Sequence, residues 1–306
     1  MWDIYTDLAM ELRELSPDAP GIAEQDEKDG EIDIKRIGVL DQRAASRIGK
    51  AVGSYVTLDA RALIDRPFEL FRAVEKRLCT ELKQLLRIDP ESSTVLVVGL
   101  GNREVTPDSL GPRVIEKILV TRHVKQFMPE AFEFETPGVC AIAPGVLGVT
   151  GVETMDIVKG VAERVKPNCI IAIDALASRR AARISTTIQL TDAGISPGSG
   201  VGNQRAELSM ESLGIPVIAI GVPLVVRAAT ITRDTLSLMA GETGLHADEE
   251  KLKLLADKIS EKQLDDMIVT PKDIDAIVSD MSGIIANAIN AALFGENLGS
   301  VRDLIA

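Results

Sequence analysis

The feature that most constrains this fold is an unbroken apolar run at 95–98 that ends in a glycine turn. A Gly-Leu-Gly-Asn turn at 99–102 follows it, then a polar loop with Asp108 and a helix start at 111–112. Apolar runs without polar alternation are typical of parallel strands that helices cover on both faces. Ligands bind in the crevice beyond the carboxyl ends of such strands. The pattern therefore predicts that Asp108 stands at that crevice.

The same arrangement recurs at 169–176, where a second apolar run ends in Asp174. Alternating strands and helices predict an α/β fold, a three-layer αβα sandwich with a mostly parallel central sheet of the phosphorylase/hydrolase-like kind. We expect residues 1–306 to form a single domain. The remaining patterns predict helices over 1–15, 66–86, 111–124, 152–165 and 248–264, a surface excursion over 16–36, strands near Phe132 and Phe134 and over 215–221, and a glycine-rich loop over 137–151.

Composition argues against several classes of partner. The net charge of −12 leaves no dense basic face for a nucleic-acid backbone. The longest apolar stretch, 215–226, contains two prolines and is too short to span a membrane. Three widely spaced cysteines without a Cys-x-x-Cys pair fit reduced thiols in a cytoplasm better than a disulfide framework or a zinc site. We therefore expect a cytoplasmic protein without direct nucleic-acid or membrane partners.

Two glycine motifs resemble known functional motifs but lack a residue that each of those motifs requires. A dinucleotide fingerprint that begins at Gly99 needs its third glycine at 104, where the chain has Glu104. This departure predicts that helix and strand do not approach closely there. The Gly-x-Ser-x-Gly string at 194–198 places Pro197 where the elbow of a serine hydrolase requires a backbone N–H. We therefore expect neither a dinucleotide site nor a serine nucleophile.

Few residues are available for cysteine or metal chemistry. His123 and His246 are the only histidines, and both lie in polar surroundings typical of a protein surface. A nucleophilic Cys140 would need one of them as a base, so we interpret Cys140 as a small buried hydrophobic residue. Without a histidine cluster we expect no metal and no other cofactor.

Asp108 and Asp174 remain as candidate catalytic residues. Each follows an apolar strand, so neighbouring parallel strands would bring both to one crevice. Two close carboxylates do not readily ionise together, and the pair then supplies an acid beside a base. Such a pair activates water and protonates a leaving amine without a covalent intermediate. Spacing alone leaves an alternative open, in which one aspartate caps a helix and the other lies on the solvated rim.

The motifs around both aspartates resemble the germination protease family of spore-forming bacteria. They are Gly-Leu-Gly-Asn at 99–102, Thr-Pro-Asp-x-Leu-Gly-Pro-Arg at 106–113, Ala-Pro-Gly-Val at 143–146, Ile-Asp-Ala-Leu at 173–176, Gly-Ser-Gly-Val-Gly-Asn at 198–203 and Val-Thr-Pro-Lys at 269–272. The resemblance spans nearly the whole chain. It implies an endopeptidase that degrades small acid-soluble spore proteins during germination. It also implies a homotetramer in the forespore or spore core, with Asp108 and Asp174 at the two proposed catalytic positions.

The resemblance further implies a zymogen that processes itself near its amino terminus. Family cleavage sites have the form Thr-Glu-(Phe or Ile)-Ala-Ser-Glu and are cut after the first acid, and residues 6–11, Thr-Asp-Leu-Ala-Met-Glu, match at most positions. We predict cleavage between Asp7 and Leu8, which makes residues 1–7 a short propeptide. The alternative interpretation of the same residues is a capped helix start.

A substrate with an acid before the scissile bond needs a positive group near the crevice. Loop position makes Lys272, Arg179, Arg180 and Arg205 candidates, and for each the alternative is a solvated surface charge. Three rival functions stay open. One is a metal-dependent enzyme like the hydrogenase maturation endopeptidases, which resemble this family distantly but bind nickel through the two acids and a histidine that this chain lacks. The others are a nucleoside phosphorylase-like protein and a binding protein without proteolytic activity.

Overall fold

The fold is that of a computed structural model, which describes residues 6–132, 134–198, 205–232, 235 and 267–305. Nine strands in these ranges form one mixed sheet. Their spatial order is β1-β2-β3-β7-β8-β6-β4-β5, and β9 pairs with β8. The strands span Ile22–Asp29 (β1), Ile32–Val39 (β2), Gly53–Asp59 (β3), Thr94–Gly99 (β4), Gly138–Ile142 (β5), Cys169–Ala177 (β6), Thr187–Thr191 (β7), Val217–Arg227 (β8) and Ile268–Val269 (β9). The predicted helix over 248–264 and His246 lie outside the described residues.

The prediction of a mostly parallel sheet is wrong. Strands β5, β4, β6 and β8 are parallel neighbours, but β7, β3, β2 and β1 continue the sheet through antiparallel pairs. The connection between β1 and β2 consists of residues 30–31 alone. So short a connection permits only an antiparallel hairpin, because a parallel pair needs a crossover of a dozen or more residues. The predicted surface excursion over 16–36 is thus largely this hairpin, and a phosphorylase-like fold stays a prediction.

Helices cover the sheet on both faces. They span Ala9–Leu15 (α1), Gln42–Ile48 (α2), Phe68–Leu85 (α3), Leu110–Ile115 (α4), Arg122–Phe127 (α5), Leu147–Thr150 (α6), Thr154–Val165 (α7), Met210–Leu213 (α8), Ile274–Phe294 (α9) and Leu298–Ile305 (α10). Along β4, Val95 and Val97 pack with apolar residues of α3, α4 and α9. Leu96 and Val98 point the opposite way and pack with residues of α7. This alternation gives the three layers that the sequence predicts.

Two local predictions between the strands are wrong. Residues near Phe132 follow a short 3₁₀ turn, and the strand lies instead at 138–142, inside the predicted glycine-rich loop. The predicted helix over 111–124 is divided into α4 and α5. Helix α4 ends at Ile115, and α5 begins only after Thr121, whose N–H donates to the carbonyl of Val139 and whose hydroxyl accepts from the Val139 N–H, both at 3.0 Å. A threonine engaged with a strand cannot also continue a helical ladder.

The helical stretch Ile274–Ile305 is, by length and composition alone, apolar enough to cross a membrane. In the described structure 61% of its most apolar window is buried. Val278, Ile285 and Ile289 pack in the same cluster as residues of α3 and α4. The stretch therefore contributes to the protein core, as buried helices of globular proteins do.

Candidate active site

Glycines allow helix α4 to approach strand β4 at backbone distance. A Cβ at Gly99 would overlap the carbonyl oxygen of Gly111, and a Cβ at Gly111 would overlap the backbone of Leu100. At Gly101, φ is +105°, and a Cβ there would overlap the carbonyl oxygen of Asp108. The expectation that helix and strand stay apart is therefore wrong, because Gly111 supplies the close approach. The same turn holds Asp108 over the end of β4.

Asp108 lies at the end of a 3₁₀ turn, Thr106–Asp108. Its Oδ2 accepts a hydrogen bond from the Asn102 N–H at 2.7 Å, within the glycine turn. Helix α4 has Ser109 at its N-cap position, so the Asp108 carboxyl group is not the cap of that helix. Burial raises the pKa of Asp108 to about 6, and the Asn102 N–H acts in the opposite direction.

Asp174 lies within β6 and is 5% exposed, so it does not lie on a solvated rim. Its Oδ1 accepts from the Ala175 N–H at 2.9 Å. Burial raises the pKa of Asp174 well above its usual range, and the negative charges of Asp108 and Asp7 raise it further. The two predicted catalytic aspartates therefore come together, and Asp7 joins them.

The predicted cleavage site lies between the carboxyl end of β6 and Gln189 of β7. The Asp7 N–H donates to the carbonyl of Ala177 at 2.9 Å, and the Ala177 N–H donates to Asp7 Oδ2 at 2.8 Å. On the other side, Gln189 Nε2 donates to the Asp7 carbonyl at 3.1 Å. Leu8 is extended, with φ −84° and ψ 119°, and helix α1 begins only at Ala9. The Asp7–Leu8 bond thus lies in extended chain before the helix, not within a capped first turn.

Glu11 anchors this segment from inside helix α1. Its buried carboxylate accepts from the backbone N–H groups of Arg179 at 2.6 Å and Arg180 at 3.0 Å. It also pairs with the buried Arg183 at 2.9 Å and accepts from the Thr6 hydroxyl. A buried carboxylate with this many donors is fixed in place, so the preceding Asp7–Leu8 bond is held against the end of β6.

A cavity of about 250 Å³ opens beside Asp7. Its lining includes Thr6, Asp7, Lys50, Tyr55, Gln189 and Glu207. Burial lowers the pKa of the Lys50 ammonium group, whereas the negative charges of Asp7 and Glu207 raise it. Lys50 therefore places an amino group, on which the charge of Asp7 acts, in the cavity that contains the residue before the predicted scissile bond.

The four predicted substrate-binding cations do not line the cavity beside Asp7. Arg180 pairs with Glu14 at 3.1 Å, and Arg205 lies 3.5 Å from Glu153. Lys272 is exposed in the turn before α9, and Arg179 contributes its backbone N–H to the Glu11 anchor. Their binding of substrate stays a prediction.

Sequence reasoning missed Gln189 and Lys50. For Gln189 the signal is the alternation of polar and apolar residues over 187–191. Alternate positions of a strand share a face, and the polar positions Thr187, Gln189 and Thr191 are all buried. A buried polar face is an informative departure from ordinary packing. For Lys50, which follows helix α2, the sequence offers no comparable signal.

Within the described ranges, no three or more His, Cys, Asp and Glu side chains are grouped to hold a metal ion. His123 is exposed on α5. The Cys140 thiol lies on β5, 3.6 Å from the carbonyl of Val95, and burial raises its pKa. A raised pKa disfavours the nucleophilic thiolate, which agrees with a packing role for this cysteine.

Asp108 and Asp174 thus lie near the carboxyl ends of the neighbouring parallel strands β4 and β6, and the charge of Asp7 acts on Asp174. Comparison with known proteins assigns the class. A family model described as germination protease matches residues 3–247 and 238–299. The germination protease of Caldanaerobacter subterraneus subsp. tengcongensis is 45% identical over 95% of this chain and 94% of its own length. Those of Clostridium tetani, 42% identical over 95% of both chains, and Bacillus cereus, 39% identical over 95% of this chain and 94% of its own, are also similar. The chain belongs to the germination protease family and is a peptidase.

Proposed function

We propose that this chain is an endopeptidase that processes itself between Asp7 and Leu8 and then degrades small acid-soluble spore proteins during germination. One observation carries the proposal. The Asp7–Leu8 bond is held between β6 and β7, and the charge of Asp7 acts on the buried Asp174, which in turn is coupled to Asp108. These contacts and charge effects support one crevice for the peptide bond and the acid pair.

The acid pair accounts for hydrolysis without a covalent intermediate. Asp108, whose pKa burial raises to about 6, takes a proton from water as the water oxygen bonds to the Asp7 carbonyl carbon. Asp174, whose pKa burial raises well above its usual range, donates its proton to the nitrogen of Leu8 as the C–N bond breaks. Transfer of the proton from Asp108 to Asp174 then restores the pair. The two groups titrate as a unit, so the division into base and acid is itself part of the proposal.

Burial of the bond favours self-processing over cleavage by another protease. Leu8 is fully buried and Asp7 is 7% exposed. A second protease would reach this bond only after the segment had detached from β6 and from the Glu11 anchor. The chain's own aspartates need no such opening, because they lie in the same crevice.

We further propose that Lys50 recognises the acid that precedes the scissile bond. It lines the cavity beside Asp7 together with Glu207, and the negative charge of Asp7 favours its protonated form. A half-buried ammonium attracts a carboxylate more strongly than an exposed one does, because screening by water is weaker.

The resemblance also supports a homotetramer in the spore cytoplasm. A tetramer has four times the 32.8 kDa mass of the chain. Light scattering after size-exclusion chromatography tests this, and a monomer mass at micromolar concentration would contradict it.

The function is tested by incubating the processed protein with a small acid-soluble spore protein, with and without a chelator. We expect chelator-resistant cleavage that is lost in Asp108→Asn and in Asp174→Asn. Asp156→Asn, at an exposed position on α7, is the matched control and should stay active. Full activity in either site variant would contradict the acid pair, and complete loss with chelator would favour the metal-dependent rival.

A further inference from the structure

The side chain of Gln189 bridges the Asp7–Leu8 bond. Its Nε2 donates to the carbonyl of Asp7 at 3.1 Å, and its Oε1 accepts from the Ala9 N–H at 2.7 Å. A backbone carbonyl only accepts and a backbone N–H only donates. These two partners therefore fix the orientation of the amide, with its NH₂ group toward the carbonyl of the predicted scissile bond.

The sheet register places Gln189 and Asp174 on one face. Gln189 of β7 and Asp174 of β6 both align with Gly221 of β8. Residues aligned across a sheet point to the same side, and strands lie about 4.8 Å apart, so the two Cα atoms are about 10 Å apart. Asp7 bonds to Ala177 on β6 and to Gln189 on β7, so it crosses over β8 between them. The peptide thus has β6, which carries Asp174, on one side and the Gln189 amide on the other.

We propose that Gln189 is a catalytic residue of this peptidase, whose amide N–H stabilises the negative charge that develops on the carbonyl oxygen of the scissile bond. The inference rests on the proposed cleavage between Asp7 and Leu8. When the water oxygen bonds to the carbonyl carbon, the π electron pair moves onto oxygen, and a donor already aimed there binds it more strongly. The amide transfers no proton. Its second bond, to Ala9, keeps the donor in place without reorganisation.

Burial increases the effect of this donor. Gln189 is 6% exposed, so water competes little for the oxyanion and the interaction acts in a medium of low dielectric constant. Removal of one such donor from a hydrolase typically lowers kcat by about 100- to 1,000-fold. We expect the same range here.

A purely structural role would give a different kinetic result. If Gln189 only tied the amino-terminal segment to β7, it would bind substrate and transition state equally. Its loss would then raise KM and leave kcat unchanged. An oxyanion donor acts mainly in the transition state, so its loss lowers kcat with little change in KM.

The experiment compares Gln189→Ala and Gln189→Glu with wild type and with Thr57→Val. Thr57 aligns with Gln189 on β3, is 1% exposed, and has a hydroxyl without a hydrogen-bond partner among the described residues. Thr57→Val changes the residue beside Gln189 in the sheet and leaves the hydrogen bond to the Asp7 carbonyl in place. Intact mass gives the self-processing rate of the full chain, and cleavage of a small acid-soluble spore protein gives kcat and KM.

We expect kcat and the self-processing rate to fall about 100- to 1,000-fold in Gln189→Ala, with KM and the shape of the pH profile unchanged and Thr57→Val near wild type. If the alanine variant does not fold, Gln189→Glu keeps the side-chain shape, replaces the donor with a carboxylate oxygen, and should show the same loss. Wild-type kcat in a folded Gln189 variant, or a change in KM alone, would overturn the inference while leaving the proposed function intact. Failure of the wild-type protein to cleave would overturn both.

Discussion

Replacing Asp108 with asparagine should stabilise the fold at neutral pH while it removes activity. The unfolded aspartate loses its proton near pH 3.8, whereas burial raises the pKa of the folded one to about 6. Between these values the folded state holds more protons than the unfolded state, so stability falls as pH rises through that window. Above it, the wild-type protein bears the full cost of the buried charge. Asparagine carries no charge and avoids this cost.

The expected size of the effect follows from the pKa shift of Asp108. A shift of about 2 units corresponds to about 3 kcal/mol. The substitution loses about 1 kcal/mol of this stabilisation, because the neutral oxygen of asparagine accepts the hydrogen bond from the Asn102 N–H more weakly than a carboxylate does. The net gain in the free energy of unfolding is then about 2 kcal/mol at pH 7.5. For a chain of this length it raises Tm by about 3 °C.

Denaturant unfolding of wild type and Asp108→Asn at pH 7.5 and pH 4 measures this directly. The variant should be more stable at pH 7.5, and the difference should vanish or reverse at pH 4, where both side chains are neutral. A variant that is less stable than wild type at pH 7.5, or a gain of equal size at both pH values, would refute the reasoning that burial raises the pKa of Asp108.

Three further predictions concern the site and its scaffold. The pH profile of kcat/KM should be bell-shaped, with an acid limb near pH 6 where the base, Asp108, becomes protonated. In self-processing, Asp7→Asn should move the alkaline limb to lower pH, because the substitution removes a negative charge that raises the pKa of Asp174, the acid. Lys50→Gln should lower the preference for Asp over Asn before the scissile bond about 10-fold in competition assays, and unchanged preference would exclude Lys50 as the recognising cation. Gly111→Ala should lower the free energy of unfolding by about 3 kcal/mol by denaturant titration, whereas Gly148→Ala, with open space around it, should have little effect.

The parallel half of the sheet could be predicted because its signals are local. Strands β4 and β6 are mainly apolar runs; the loop with Asp108 follows β4, and Asp174 is the one acid within β6. Strand β1 has no such signal, because most of its residues are polar and exposed. It is held to β2 and its surroundings partly by ion pairs such as Lys35–Glu24 and Arg36–Glu27. The sequence of such a polar edge strand resembles that of a surface loop.

The candidate site, like the sheet, could be predicted only where its signals are local in the sequence. The positions of Asp108 and Asp174 follow from the ends of their strands, and that of Asp7 from a cleavage-site pattern. The role of Gln189 depends on a contact with a residue 182 positions away, and the charge environment of Lys50 depends equally on tertiary structure. The alternation over 187–191 indicates a polar face of β7 but not what that face contacts, and the sequence around Lys50 has no comparable signal. The antiparallel half of the sheet, which the sequence did not predict, is what brings Gln189 to the cleavage site.

The most direct test of the acid pair is the intact mass and amino-terminal sequence of the full-length protein during self-processing. We expect the wild-type chain to lose residues 1–7 and begin at Leu8, and Asp108→Asn and Asp174→Asn to stay uncut under the same conditions. A new amino terminus at another bond, or processing at the wild-type rate in either variant, would contradict cleavage of the Asp7–Leu8 bond by these two aspartates.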